Sequence, residues 1–252
     1  MSLRQTVVAY AGIAAATATF APMSTAFAAL SLGRNHGTRV IPKLWGRSVL
    51  ASCGVRFEVR GLDRFSHQRQ FIVASNHQSL LDPPLILCAI PQKLRFVAKR
   101  SLFYIPIFGQ AIWAAGNVPI DRSRSETSTR RLNRTGRRVG KDLSILFFPE
   151  GTRSPDGALL PFKKGATMMA LQTGHALLPV AVAGTRELLP KHARTVRPGG
   201  VGVAFGSPVE VAGRTLADRD EITRELRESI AALMPEAEEA RRSIAGQEGP
   251  RA

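Results

Sequence analysis

Cysteine, aromatic and acidic residues are all scarce in this chain of 252 residues. Its two cysteines, Cys53 and Cys88, stand in apolar surroundings and form neither a disulfide framework nor a metal-ligand spacing. Buried free thiols of a reducing compartment are the expectation. Aromatics make up 6%, too few for the stacking platforms on which single-stranded nucleic acid is bound. The shortage of acid leaves 19 Asp+Glu against 35 Lys+Arg, a net charge of +16. Such a balance calls for an anionic partner: lipid, nucleic acid or a phosphorylated small molecule. Charge alone does not choose among them, and a generic basic surface has the same composition. Whole motifs are missing too: no GxxxxGK[ST] phosphate loop, no GxSxG nucleophile elbow, no HExxH zinc helix. Gly200, Gly202 and Gly206 lack dinucleotide-binding spacing, and no internal repeat is visible. Nucleotide hydrolysis and serine-hydrolase chemistry therefore start at a disadvantage.

Charge is absent altogether from Gln5 to Gly33. That length suffices to span a bilayer, which takes roughly 20 mostly apolar residues. The segment is nevertheless rich in Ala and Thr and contains Pro22. Three readings fit it: a transmembrane anchor, a helix sunk in one leaflet, or a cleavable signal with Ala26-Phe27-Ala28 as the small-x-small site. Thr38–Gly54 reads as a second helix, with Pro42 in its first turn. Ile41, Leu44, Trp45 and Val49 share one face, and Arg39, Lys43 and Arg47 recur every four residues on another. This is the pattern of a basic interfacial helix, or of an ordinary helix packed on a core. Basic residues follow the apolar stretch (Arg34, Arg39, Lys43, Arg47) where only Arg4 precedes it, which predicts the rest of the chain on the cytoplasmic side.

From Val55 onward, short β-rich runs alternate with helical stretches. Strands are predicted at 55–59, 70–74, 94–98, 117–120, 144–148, 177–183 and 201–205, and helices at 79–89, 125–141, 163–173 and 218–234. The alternation predicts an α/β fold: a single globular domain over 55–234 with a mixed, largely buried sheet flanked by helices. An N-terminal two-helix membrane-associating motif over 1–54 precedes it. The charged tail, 235–252, is expected to fray.

Several strands end in polar turns, where α/β sheets gather ligand groups. The strand Phe71–Ala74 runs into Ser75-Asn76-His77, and Asp82 follows five residues after the histidine. With Ser75 or Asn76 as cap, His77 would lie in the first turn of a helix and Asp82 about one and a half turns on. The carboxylate could then reach back to the imidazole, fix its tautomer and leave the other nitrogen as a base. A capped turn with a surface histidine has the same spacing. The strand ending at Phe148 runs into Pro149-Glu150-Gly151-Thr152-Arg153-Ser154, a tight loop with exposed amides and a guanidinium fork suited to phosphate or carboxylate. A β-turn with a solvated Arg fits equally. Gly116–Arg122 is another strand ending in Arg, Leu178–Gly184 is an apolar strand containing Pro179, and Lys99 and Arg100 end the strand Phe96–Ala98.

The combination and its order carry more than any part. NHQSLLD (His77 to Asp82), GNVPIDR (ending at Arg122), FPEGTRS (Phe148 to Ser154) and LPVAVAG (around Pro179) follow one another in the chain. In this the sequence resembles the glycerolipid acyltransferases, the family that includes bacterial 1-acyl-sn-glycerol-3-phosphate acyltransferases. The resemblance covers about 55–210, with the two-helix pattern before it. It implies catalysis by His77 and Asp82, acceptor phosphate held by Arg153 with Lys99 and Arg122, and a substrate-binding loop at Glu150, Gly151 and Thr152. It implies a fatty acyl group moved from acyl-CoA or acyl-carrier protein to the sn-2 hydroxyl of a lysophosphatidic acid, giving phosphatidic acid for phospholipid synthesis. Membrane lipids are expected partners and nucleic acid is not; neither metal nor organic cofactor is implied. Cytosolic donors disfavour the cleavable signal and place the catalytic domain on the cytoplasmic face of the cell membrane. Relatives with the same blocks act on glycerol 3-phosphate, lyso-ornithine lipid or lysophospholipid. A non-enzymatic basic membrane-binding module, resting on the arginine run from Arg122 to Arg138, is the alternative of another class.

Overall fold

The fold follows from a few fully buried strands. The computed structural model describes residues 3–30, 37–120 and 143–246. Strands β1 (Val55–Arg60), β2 (Ile72–Ser75), β3 (Leu94–Lys99), β4 (Val118–Ile120), β5 (Ser144–Phe147), β6 (Leu177–Ala183) and β7 (Gly199–Phe205) form one sheet in the order β1-β7-β6-β2-β5-β3-β4. Strands β2, β3, β4, β5 and β6 run parallel, whereas β7 is antiparallel to β6 and carries β1 with it. The sheet is therefore mixed, as expected. Every residue of β2, β5 and β6 is buried, the continuous apolar run of a strand covered on both faces.

Period-two alternation sorts the core into two layers. Phe71, Val73, Leu178, Val180 and Val182 face helices α2 (Gly37–Ser52) and α3 (Asp82–Ala89). Ile72, Ala74, Ile145 and Leu177 face α5 (Gly165–Thr173) and α7 (Arg219–Gly246), which follow α4 (Phe108–Ala114) and the single-turn α6 (Thr185–Leu188). Helix α3 starts on Asp82-Pro83-Pro84, where the missing proline N–H groups cost no intrahelical bond. It ends at Ile90, held extended before Pro91.

Three expectations are corrected. The predicted helix from Ser79 begins only at Asp82, because the Asp82 carboxylate takes the amides of Gln78 and Ser79 and holds them in a loop. Leu44 does not join Ile41 and Val49: those two are buried while Leu44 is 40% exposed, and Lys43 reaches inward to the carbonyl of Ile90 at 2.5 Å, the C-terminal end of α3. The tail does not fray from Pro235, since α7 continues to Gly246. Beyond the proline, Ala237, Ala240 and Ile244 are buried at helical spacing, and a Cβ on Gly202 of β7 would stand 1.8 Å from the Ala237 carbonyl oxygen. Small residues on both sides let helix and strand meet, and that packing outweighs the tail's poverty in large apolar residues. The predicted helix 125–141 and the residues after 246 lie outside the described residues.

Gly202→Ala tests this docking directly. The added methyl has only backbone to meet, so the variant should lose about 1–3 kcal/mol of stability, read from thermal or denaturant unfolding in detergent.

Candidate active site

Because β2, β3, β5 and β6 are parallel, their C-terminal ends share one edge of the sheet, and the strand-end turns meet there. The turn after β2 is held from three sides. Asn76 Nδ2 donates to the Val182 carbonyl at 2.9 Å and its Oδ1 accepts from Val182 N at 2.8 Å, fastening the turn to β6. The His77 amide donates to Glu150 Oε1 at 2.7 Å, and the His77 carbonyl accepts from Ser154 N at 2.7 Å, fastening it to the turn after β5. From below, Asp82 Oδ2 accepts from Gln78 N at 2.7 Å, Ser79 N at 2.8 Å and His77 Nδ1 at 2.8 Å.

His77 thus lies in the loop that precedes α3 and not in a first helical turn, yet the predicted pairing with Asp82 forms. The reason is the carboxylate's position at the start of α3, pointing back over the loop. Asp82 is fully buried, and its second oxygen accepts from Thr185 Oγ1 at 2.5 Å. Both oxygens that burial denies to water thereby find donors within the protein. The imidazole stacks on Phe148 with ring centroids 4.0 Å apart, and Nε2 is the ring nitrogen left over from the pair.

Glu150 is of another kind. Its side chain is buried, and both oxygens accept backbone amides, Oε1 from His77 and Oε2 from Leu160 at 3.2 Å. Burial pushes its carboxyl up to about 7, against the pull of those two amides; nearby Asp82 raises it further. Gly151 adopts φ 72°, and Lys163 lies across it, so close that a Cβ there would stand 3.0 Å from the lysine Cε. The Gly151 amide is already committed to the Phe148 carbonyl at 2.9 Å.

An apolar cavity of about 490 Å³ opens beside His77. It runs between α1 (Leu3–Leu30), α2, α3 and α4, walled by side chains such as Phe20, Trp45, Leu87, Phe108 and Ile112. Lys99, Thr152, Arg153 and Lys191 supply polar lining. Among the described residues no carboxylate lies within ion-pair distance of Lys99, Arg153 or Lys191, whereas Arg64, Lys164 and Arg214 are all paired. Lys191 Nζ donates to the Arg153 carbonyl at 2.9 Å and to Thr152 Oγ1 at 3.3 Å, tying the turn down. Of the expected site residues, His77, Asp82, Glu150, Gly151, Thr152, Arg153 and Lys99 are brought to this one edge. Arg122 lies outside the described residues. Thr185 and Lys191 were not foreseen. Thr185 follows the end of β6 by two residues just as His77 follows β2, so the strand-end rule would have found it; Lys191 carries no such signal.

A family model described as Acyltransferase matches residues 56–183. A 1-acyl-sn-glycerol-3-phosphate acyltransferase of Cocos nucifera is 37% identical over 66% of this chain and 53% of its own length. The chain spans about half the length of that relative. The human 1-acyl-sn-glycerol-3-phosphate acyltransferase alpha is 31% identical over 81% of this chain and 72% of its own. Among solved structures, the 1-acyl-sn-glycerophosphate (LPA) acyltransferase PlsC from Thermotoga maritima superposes with a TM-score of 0.75, at 27% identity, over 99% of this chain and 97% of that one.

Two outcomes follow from the buried carboxylates. Thr185→Val keeps the side-chain shape but strands Asp82 Oδ1, so it should cost about 1–3 kcal/mol in denaturant unfolding, and Thr185→Ser should restore most of it. For Glu150, the folded chain keeps a proton that the unfolded chain has released. The stability from this group is complete below its ordinary value of 4.5 and is lost as pH rises through about 7. Unfolding of wild type and Glu150→Gln across that window should show the wild type declining more steeply.

Proposed function

This chain belongs to the acyltransferase family, and from that premise we propose that it moves a fatty acyl group from acyl-CoA or acyl-carrier protein onto the sn-2 hydroxyl of 1-acyl-sn-glycerol 3-phosphate, forming phosphatidic acid. The observation that carries this reading is the His77–Asp82 pair at 2.8 Å, set where an apolar cavity meets three cations without carboxylate partners. An acceptor with one acyl chain and one phosphate has the same two-part character.

In the proposed reaction Arg153, Lys99 and Lys191 hold the phosphate, with Arg122 added from sequence, and bring the free hydroxyl to His77 Nε2. His77 takes the hydroxyl proton as the oxygen attacks the thioester carbonyl. Asp82 keeps Nδ1 protonated and stabilises the imidazolium. Collapse of the tetrahedral intermediate breaks the C–S bond, and the proton passes to the departing thiolate. A thioester is activated already, so no acyl-enzyme is needed. Two observations agree: Ser79 Oγ is buried and donates to the Leu189 carbonyl at 2.8 Å, and burial pushes the Cys88 thiol up to about 11. The Glu150–Thr152 turn holds the phosphate site in place. Its Gly151 amide is spent internally, which leaves that group unsuited to the oxyanion.

The same reading places the chain at the cytoplasmic face of the cell membrane. Helix α1 buries small residues, Thr6, Ala9, Ala16, Ala21 and Ser24, and exposes large ones, among them Leu3, Val7, Val8, Met23, Phe27 and Leu30. A water-soluble core has the opposite arrangement; small residues inside and large apolar ones outside suit packing within lipid. The buried face persists from Thr6 to Ser24, roughly 27 Å of helix, with Trp45 Nε1 donating to Thr17 Oγ1 at 3.1 Å on the way. A helix fastened to its neighbours over that length favours lying in one leaflet over crossing both.

The test is thiol release from palmitoyl-CoA and from palmitoyl-acyl-carrier protein, with lysophosphatidic acid, glycerol 3-phosphate or no acceptor. Release should require lysophosphatidic acid and should fall about 10²–10⁴-fold in His77→Ala. Equal rates in the variant would remove His77 from the mechanism. Release with neither acceptor, from either donor, would end the acyltransfer reading.

A further inference from the structure

Between β3 and β4 the chain makes a 3-10 turn, Arg100–Tyr104, and then α4. We propose that this segment is a second lipid-inserting element, a wedge whose outer side enters the hydrocarbon edge of an anionic leaflet beside α1. The proposal rests on the membrane reading of α1 and adds to it a surface that belongs to the catalytic domain.

Four large apolar side chains stand out within ten residues. Tyr104 is 69% exposed, Ile105 45%, Ile107 48% and Trp113 68%. Such a cluster on one short segment marks a contact surface. The backbone works to present it. Ile107 has φ 66° and ψ −56°, and Phe108 N donates to the Pro106 carbonyl at 2.7 Å, which together make the rarer and strained hand of γ-turn. A β-branched residue at positive φ persists only where its surroundings enforce it. Here Ile107 N donates to Gln110 Oε1 at 3.1 Å, Gly109 N to the Ile105 carbonyl at 2.7 Å and Ala111 N to the Ile107 carbonyl at 3.1 Å. Gly109 passes so close beneath the Phe103 carbonyl that a Cβ would stand 2.3 Å from its oxygen. The result is an isoleucine held at the apex of a rigid turn, turned outward.

Three observations select lipid as the occupant. The inner side of α4, with Phe108, Ala111 and Ile112, faces Phe20, Ala21 and Ser24 of α1 across the cavity, so the outer side continues the apolar surface on which Met23 and Phe27 lie. No acidic residue occurs from Leu94 to Ile120, while Lys99 and Arg100 sit at the base of the segment. Arg100 Nε donates to the Tyr104 hydroxyl at 2.9 Å, and the guanidinium Cζ lies 5.9 Å from the ring centroid, an amphipathic pair of the kind that settles at a lipid–water boundary. With α1 and α4 both in the leaflet, the cavity between them opens into lipid, and a lysolipid could reach His77 without passing through water.

The full chain on vesicles of phosphatidylcholine and phosphatidylglycerol tests this, with sedimentation to measure binding. Acyl-brominated lipids report depth. Trp113 is read as the difference between wild type and Trp113→Phe, the chain having two tryptophans. Bound protein should show Trp113 blue-shifted and quenched by bromolipid. Ile107→Asp should abolish that quenching and weaken vesicle binding roughly tenfold, the loss expected on withdrawing one large aliphatic side chain from hydrocarbon. Ile107→Gly, which suits the positive φ and guards against misfolding, should weaken both in the same direction. Bound protein with Trp113 unquenched overturns the wedge and leaves the α1 anchor standing. A concentration-dependent blue shift without bromolipid quenching assigns the face to a second copy of the chain and overturns lipid. Protein that does not sediment with vesicles overturns the wedge and the membrane reading together.

Discussion

Everything at the reactive edge of the sheet depends on one buried carboxylate. Asp82 has no access to water, and an ion in that position is tolerable only when its oxygens are fully used. Three donors on one oxygen come from the loop after β2, and the donor on the other comes from Thr185, two residues past β6. Satisfying the charge therefore sets the shape of the loop, the orientation of the His77 ring and the approach of β6 to β2. Glu150 repeats the device between β2 and β5, and Asn76 repeats it with a neutral amide between β2 and β6. Three strand ends are cross-braced by buried polar side chains, so the imidazole is placed by the fold and needs no substrate to arrange it.

The surroundings of that rigid point divide by solvent. On one side lie Lys99, Arg153 and Lys191, charges for which the described chain supplies no counter-ion; on the other lies an apolar cavity roofed by α1 and α4. Other cations are matched, among them Arg64 by Glu236 and Lys164 by Asp220. What sets these three apart is convergence: all of them line the cavity that His77 lines. In the proposed reaction this division sorts an amphiphile head from tail before any chemistry begins.

Much of this was legible from the chain. Buried parallel strands announce themselves as unbroken apolar runs, and all seven were placed within two residues at each end. The pairing of His77 with Asp82 and its meeting with the Glu150–Arg153 turn followed from the order of the motifs. What stayed hidden was tertiary. The start of α3 was misplaced because a side chain, Asp82, and not the backbone, satisfies the amides of Gln78 and Ser79. The extent of α7 was underestimated because Gly202 and Ala237 dock by closeness, and no hydrophobicity scale rewards glycine for that. Helix α4 escaped notice because its segment has no clean helical period, and a backbone bond network around Ile107 holds it. Thr185 was overlooked because a threonine after a strand is ordinary until the carboxylate it serves is known.

The two carboxylates also show how environment and role separate. Glu150 has the raised carboxyl, and a shifted acid beside a histidine is the usual sign of proton transfer. Geometry argues otherwise. Both its oxygens accept backbone amides, its side chain is shut from solvent, and the cavity lining passes from Phe148 to Thr152 without it. Its shift is the electrostatic consequence of burying a brace, opposed by the two bonds for which the brace exists. Asp82, equally buried, is the carboxylate that touches the imidazole. Contact with the group that faces the cavity, and not displacement of a titration, is what distinguishes a partner of the base from a support of the loop that carries it.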